Sequence, residues 1–145
     1  VSERLQETPL EGTRVGDRPL EFYRRFIGHE PDRGMCTSQL EMTADRRWLV
    51  MRLASVSKYA LMLDRDDVVA LADALVERRP ETIRVRHERL GERRLSVDSC
   101  APKVGLSFDG EDRIELVFDD AQAESLVSGL RASVDQLRRP LMQRC

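Results

Sequence analysis

Laid over itself with a shift of 55 residues, the chain repeats its own hydrophobic pattern. Leu40 and Met42 fall on Leu95 and Val97, and Leu49, Met51 and Leu53 fall on Val104, Leu106 and Phe108. Further on, Leu61 and Leu63 meet Leu116 and Phe118, Asp64 meets Asp119, and Leu71, Ala72 and Leu75 meet Leu126, Val127 and Leu130. Self-similarity at one fixed spacing constrains a fold more than any single element does, because whatever the first stretch forms the second must also be able to form.

Within each stretch the period of the pattern names the elements. Alternation of period two puts Leu49, Met51 and Leu53 on one sheet face and Trp48, Val50 and Arg52 on the other. After the strands Tyr59 to Leu63 and Ile114 to Phe118 the period changes to 3.6, and an aspartate stands at each change. Asp64 and Asp119 are expected N-caps, accepting hydrogen bonds from the first free helix amides. Asp67 and Gln122, three residues on, resemble the reciprocal half of a capping box. The first helix is expected over about residues 65–79 with Val68, Leu71, Ala72 and Leu75 as its apolar stripe, stopped by Pro80. The second is expected over about residues 120–138, with Ala123, Leu126, Val127, Leu130, Val134 and Leu137 on one face and Pro140 beyond it. Further strands are expected at residues 20–27 and 82–90, with a turn at Gly91-Glu92 and a hairpin signal at Asp109-Gly110.

Each unit then reads β-β-β-β-α. A sheet apolar on one side cannot stand alone, so the expected fold is α+β, two tandem β-β-β-β-α repeats packed about a pseudo-twofold axis into one domain spanning residues 1–145. Residues 1–19 form a lead-in, 20–80 the first repeat, 81–139 the second and 140–145 a tail.

Apolar residues at 41% are too many for a disordered chain, and charged residues at 34% too many for a membrane protein. No apolar run approaches the roughly 20 residues of a bilayer span, and Val1 to Leu10 lacks the basic-then-apolar order of a signal peptide, so a cytoplasmic home with no membrane partner is expected. Cys36, Cys100 and Cys145, odd in number and far apart, fit reduced thiols.

Catalysis needs a nucleophile beside a base, a metal-ligand cluster, a phosphate-cradling glycine loop or a working carboxylate pair. None is expected here, nor any metal or cofactor. His29 lies in Gly28-His29-Glu30-Pro31-Asp32 near Cys36 without a zinc spacing, and reads as part of a polar loop. His87 follows Ile83 and Val85 on one strand face and reads as a half-buried histidine. Asp64, Asp66, Asp67, Asp119 and Asp120 stand where helix starts favour acid. An enzyme would need groups that only folding brings together, such as His29 or His87 beside Cys100 or an aspartate.

The outward sheet face is left. Trp48 and Arg52 share one strand, and Arg84 and Arg86 lie on the strand that opens the second unit. Guanidinium groups pair with phosphates and an aromatic ring stacks on an unpaired base, so this face could hold a single strand of DNA or RNA. The net charge of −2 excludes coating nucleic acid by charge alone. The same arginines, alternating with glutamates as in Arg86-His87-Glu88-Arg89, also fit a solvated face of surface ion pairs.

The layout over residues 20–138 resembles the PUR repeat family. Arg47-Trp48-Leu49-Val50-Met51-Arg52-Leu53 is similar to the basic-aromatic-aliphatic strand of those repeats, and Tyr59-Ala60-Leu61-Met62-Leu63 before a helix is similar to their last strand. That resemblance implies paired repeats intertwined in one domain, single-stranded nucleic acid as ligand, and in some members a homodimer. Trp48, Arg52, Arg84 and Arg86 are accordingly the expected nucleic-acid-binding residues of a non-enzymatic module. The alternative is a protein-interaction module, an adaptor, inhibitor or small chaperone, with a protein partner docked on a sheet edge or helix face.

Overall fold

The computed structural model describes residues 14–15, 18–19, 22–31, 33–53, 60–87, 91–100, 103–109 and 113–139. A short antiparallel ladder of β1 (Arg14–Val15) and β2 (Arg18–Pro19) comes first. Then follow β3 (Tyr23–Glu30), β4 (Gly34–Met42), β5 (Leu49–Arg52), β6 (Ala60–Leu63), helix α1 (Arg65–Glu77), β7 (Glu81–His87), β8 (Gly91–Cys100), β9 (Lys103–Asp109), β10 (Arg113–Phe118) and helix α2 (Asp120–Val134).

The eight strands from β3 to β10 form one closed antiparallel barrel, in the order β10-β3-β4-β5-β6-β7-β8-β9. This corrects the expected α+β arrangement of two tandem β-β-β-β-α repeats packed about a pseudo-twofold axis into one domain. Period two fixes which face of a strand is buried and is blind to which strand edge pairs with which. A four-stranded sheet ends in two edges of unpaired N–H and C=O groups, and joining edge to edge satisfies them. Here β6 joins β7 through Leu61↔His87 and Met62↔Arg86, and β10 closes onto β3 through Val117↔His29. Those two seams are narrow beside the eight registered pairs of β3 with β4. Helix α1 lies against β7 and α2 against β3, each beside a seam strand.

The inward residues of the barrel and the apolar stripes of both helices merge into one buried cluster. Leu40, Met51, Leu61, Leu95, Leu106 and Phe108 point into it from the strands, and Leu71, Leu75, Leu126 and Leu130 from the helices. At about 25 cal/mol for each Å² of apolar surface removed from water, burial of each such side chain is worth about 1.5–3 kcal/mol. His87 joins them at 1% exposure, deeper than half-buried, with its ring stacked 6.0 Å from that of Phe108.

Both helices start as their aspartates predict. The Asp67 N–H donates to Asp64 Oδ1 at 2.9 Å while the Asp64 N–H donates to Asp67 Oδ2 at 3.2 Å. The same pair of bonds links Asp119 and Gln122 at 2.8 and 3.1 Å. Helix α1 ends on Arg78 in the left-handed region at φ 55°, and α2 stops at Val134, four residues short of expectation. The helices run antiparallel, held by the ion pairs Arg78–Asp120 and Arg131–Asp73 and by Arg65 Nε donating to the Val134 carbonyl at 3.4 Å. Two local expectations shift: residues 20–27 become β3 three residues later, and Gly91-Glu92 opens β8 instead of forming the turn, with Gly91 at φ 80°. Tyr59, residues 88–90 and Gly110 lie outside the described residues.

Candidate functional site

The expected binding residues lie on the outer wall formed by β5, β6, β7 and β8. One outward row crosses it from Val50 to Met62, Arg86 and Glu92, and the next pairs Arg84 with Arg94. Trp48 stands at the entrance of β5, half-buried, and its position is fixed by the turn before it.

That turn is tied at every step. The Thr43 N–H donates to the Trp48 carbonyl at 3.0 Å, and the Trp48 N–H donates to Thr43 Oγ1 at 3.2 Å. The Thr43 hydroxyl donates to Asp45 Oδ1 at 2.7 Å, and the Arg47 N–H reaches the same carboxylate oxygen at 3.1 Å. The hydroxyl, followed by the Arg47 amide, holds the Asp45 carboxyl below the usual carboxylate range. Arg46 takes the left-handed region at φ 60°, and its carbonyl accepts from the Arg138 N–H at 2.8 Å, which pins the chain beyond α2 to the turn. A backbone so closed presents the indole in one place, which is what a stacking platform needs.

Two guanidinium groups face that indole. Arg47 lies 5.4 Å from the ring centroid and Arg86 6.0 Å, both within cation–π reach. Among the described residues neither forms an ion pair. The other two expected contacts are engaged: Arg52 Nε lies 3.4 Å from Glu41 Oε2, and Arg84 Nη1 lies 3.8 Å from Glu92 Oε1. The fold therefore brings Trp48 and Arg86 together across β6, and leaves Arg52 and Arg84 beside glutamates on either flank. Arg47 was not among the expected contacts. Its signal in the sequence is the Thr43-x-Asp45 spacing, a side-chain-capped turn that aims residue 47 at residue 48.

No protein-family model, curated protein or solved structure matches this chain. Its chemistry must therefore be read from its own side chains.

The other candidates stay apart. His29 lies within β3 and not in the expected polar loop, on the outer face opposite Met35 and Val117, and among the described residues no three His, Cys, Asp or Glu side chains are grouped to hold a metal. Cys36 is a buried free thiol, pushed up by burial and then by the charge of Glu30. His87 is enclosed in the barrel, and Cys100 has no described side chain. Asp64, Asp67 and Asp119 are occupied in capping, and Asp120 pairs with Arg78. Among the described residues no helix is long and apolar enough to cross a membrane.

Proposed function

We propose that this chain is a binding module for single-stranded nucleic acid, with Trp48 as the stacking platform and Arg86 and Arg47 beside it as phosphate contacts. The observation that carries the reading is the pair of guanidinium groups within 6.0 Å of one indole, neither of them in an ion pair with a described residue. Arg52 and Arg84, on the same wall of the barrel, face carboxylates instead. A base inserted at the indole would gain about 1–3 kcal/mol from stacking, and the guanidinium groups would meet the phosphates on either side of it. The similarity of Arg47-Trp48-Leu49-Val50-Met51 to PUR repeats supports the same ligand class. The setting we propose is cytoplasmic, in keeping with the buried free thiol of Cys36.

Trp48 is the only tryptophan of the chain, so its fluorescence reports the site directly. Titration with mixed DNA and RNA single strands at low salt should quench it, and affinity should fall with salt by a log–log slope of about 0.7 per phosphate contacted. Trp48→Ala should cost about 1–3 kcal/mol of binding. Absence of binding to either strand at low salt overturns the reading.

A second reading, a protein partner or a second copy of the chain, is favoured by the outer face of the β3–β4 hairpin, where Met35 is 65% and Ile27 41% exposed. A single partner that co-purifies after nuclease treatment, and is lost with Met35→Glu, would favour it over the first.

A further inference from the structure

Beside the Trp48 platform the ladder does something unusual: it sets Arg84 of β7 directly opposite Arg94 of β8. Like charges directly opposite on neighbouring strands are destabilising. Other arginines are matched to acids, Arg78 to Asp120, Arg131 to Asp73, and Arg79 to Glu77 and Glu81. Arg93 also borders this place, its Nη1 donating to the Glu92 carbonyl at 2.7 Å. Arg84, Arg93, Arg94 and Glu92 line one open hollow of about 500 Å³. Among the described residues that line it, three are cations and one is a carboxylate, in a chain whose net charge is −2.

That carboxylate is loosely held. Glu92 Oε1 stands 3.8 Å from Arg84 Nη1, and the two side chains are 68% and 79% exposed. An exposed pair at that distance contributes little. The Cα partner of Glu92 is Arg86, whose guanidinium faces Trp48, so the hollow adjoins the platform one row further along β7 and β8.

We propose that this hollow is a phosphate subsite for the strand whose base lies on Trp48, and that Glu92 is its internal competitor, displaced when the phosphate enters. The inference rests on the single-strand reading of the Trp48 face and adds a second contact point and a residue that limits affinity. A phosphate oxygen pair fits between two opposed guanidinium groups as a carboxylate at 3.8 Å does not, and it removes the repulsion that the register imposes.

The test is single-strand binding as a function of salt for the whole chain and three variants. Glu92→Gln should bind more tightly, because the phosphate no longer has to displace a carboxylate, and should keep the salt slope of the unaltered chain, whose phosphate contacts it retains. Arg94→Gln should bind more weakly and flatten the slope by about 0.7, a change of about 2.6-fold in salt sensitivity between 50 and 200 mM. Glu124→Gln, which removes the same charge from an exposed position on α2, should leave both affinity and slope unchanged. A gain in Glu92→Gln cannot come from damaged folding, which keeps the test decisive if Arg94→Gln is unstable. If the unaltered chain binds but Glu92→Gln and Arg94→Gln bind as it does, the subsite is overturned and the Trp48 platform stands. If inorganic phosphate alone perturbs Arg94 side-chain resonances and an added strand does not, the hollow serves free phosphate and the inference is likewise overturned. A chain that binds no strand at all overturns the platform reading itself.

Discussion

Gly28→Ala is the substitution that tests closure of the barrel most directly. Gly28 lies on β3 beside the seam pair Val117↔His29, and Phe118 is the next residue on β10. A Cβ added at Gly28 would stand 2.8 Å from Phe118 Cε1 and 3.3 and 3.4 Å from Cδ1 and Cζ. Ordinary carbon contacts begin near about 3.5 Å, so the methyl intrudes by about 0.7 Å. The ring has no room to give: it is fully buried, and Phe26 lies 6.0 Å from it. Overpacking of this kind costs about 1–3 kcal/mol, against a gain of about 0.4–1 kcal/mol from a less flexible unfolded chain. The expected net loss is about 1–2 kcal/mol, read as a lower urea midpoint at unchanged slope in Trp48 fluorescence. In a Phe118→Leu background, where the opposing ring is gone, the same substitution should cost nothing, which gives a coupling of about 1–2 kcal/mol. Equal stability of Gly28→Ala and the unaltered chain, in the presence of Phe118, would show that β10 does not close onto β3 as described.

Burial, followed by the charge of Asp64, pushes the Asp67 carboxyl from 3.8 up to about 6, against the lowering effect of the Asp64 N–H. The folded chain then holds this proton more tightly than the unfolded chain, so stability falls as pH rises from about 4 to about 6. For a fully enclosed group that rise would be worth about 3 kcal/mol; half-buried Asp67 should show about 1 kcal/mol, and Asp67→Asn, which keeps the acceptor for Asp64 N–H, should flatten the dependence in chemical denaturation across that range. Asp119→Ala removes the acceptor for Gln122 N–H and should lower stability by about 0.5–2 kcal/mol, measured as a fall in thermal midpoint. Cys36, buried with its thiol pushed up, should resist alkylation in the folded chain and react on unfolding, as site-resolved mass spectrometry would show.

What the sequence makes legible is local. Alternation marks the inward residues of β4, β5, β8 and β9 because each strand carries its own burial pattern. The two capping boxes are readable because donor and acceptor lie three residues apart. The ring closure is not readable, because pairing of β3 with β10 depends on edges that no periodicity records. Trp48 and Arg52 could be placed on one outward face, and Arg84 and Arg86 on another, from period two alone. That Arg86 reaches Trp48 across β6 while Glu41 and Glu92 take up Arg52 and Arg84 is a fact of register between strands. Arg47 escapes the pattern for the opposite reason: its placement comes from a turn, where period two no longer applies.

The joint of β3 with β10 has a consequence during synthesis. Of the eight strands the one that completes the ring is made last, so the other seven are already synthesised before the flank of β3 can find its mate. Contacts this distant along the polypeptide assemble slowly, and a waiting strand flank invites pairing with another nascent copy. Production of the barrel should therefore be limited by how fast β10 and α2 follow β9.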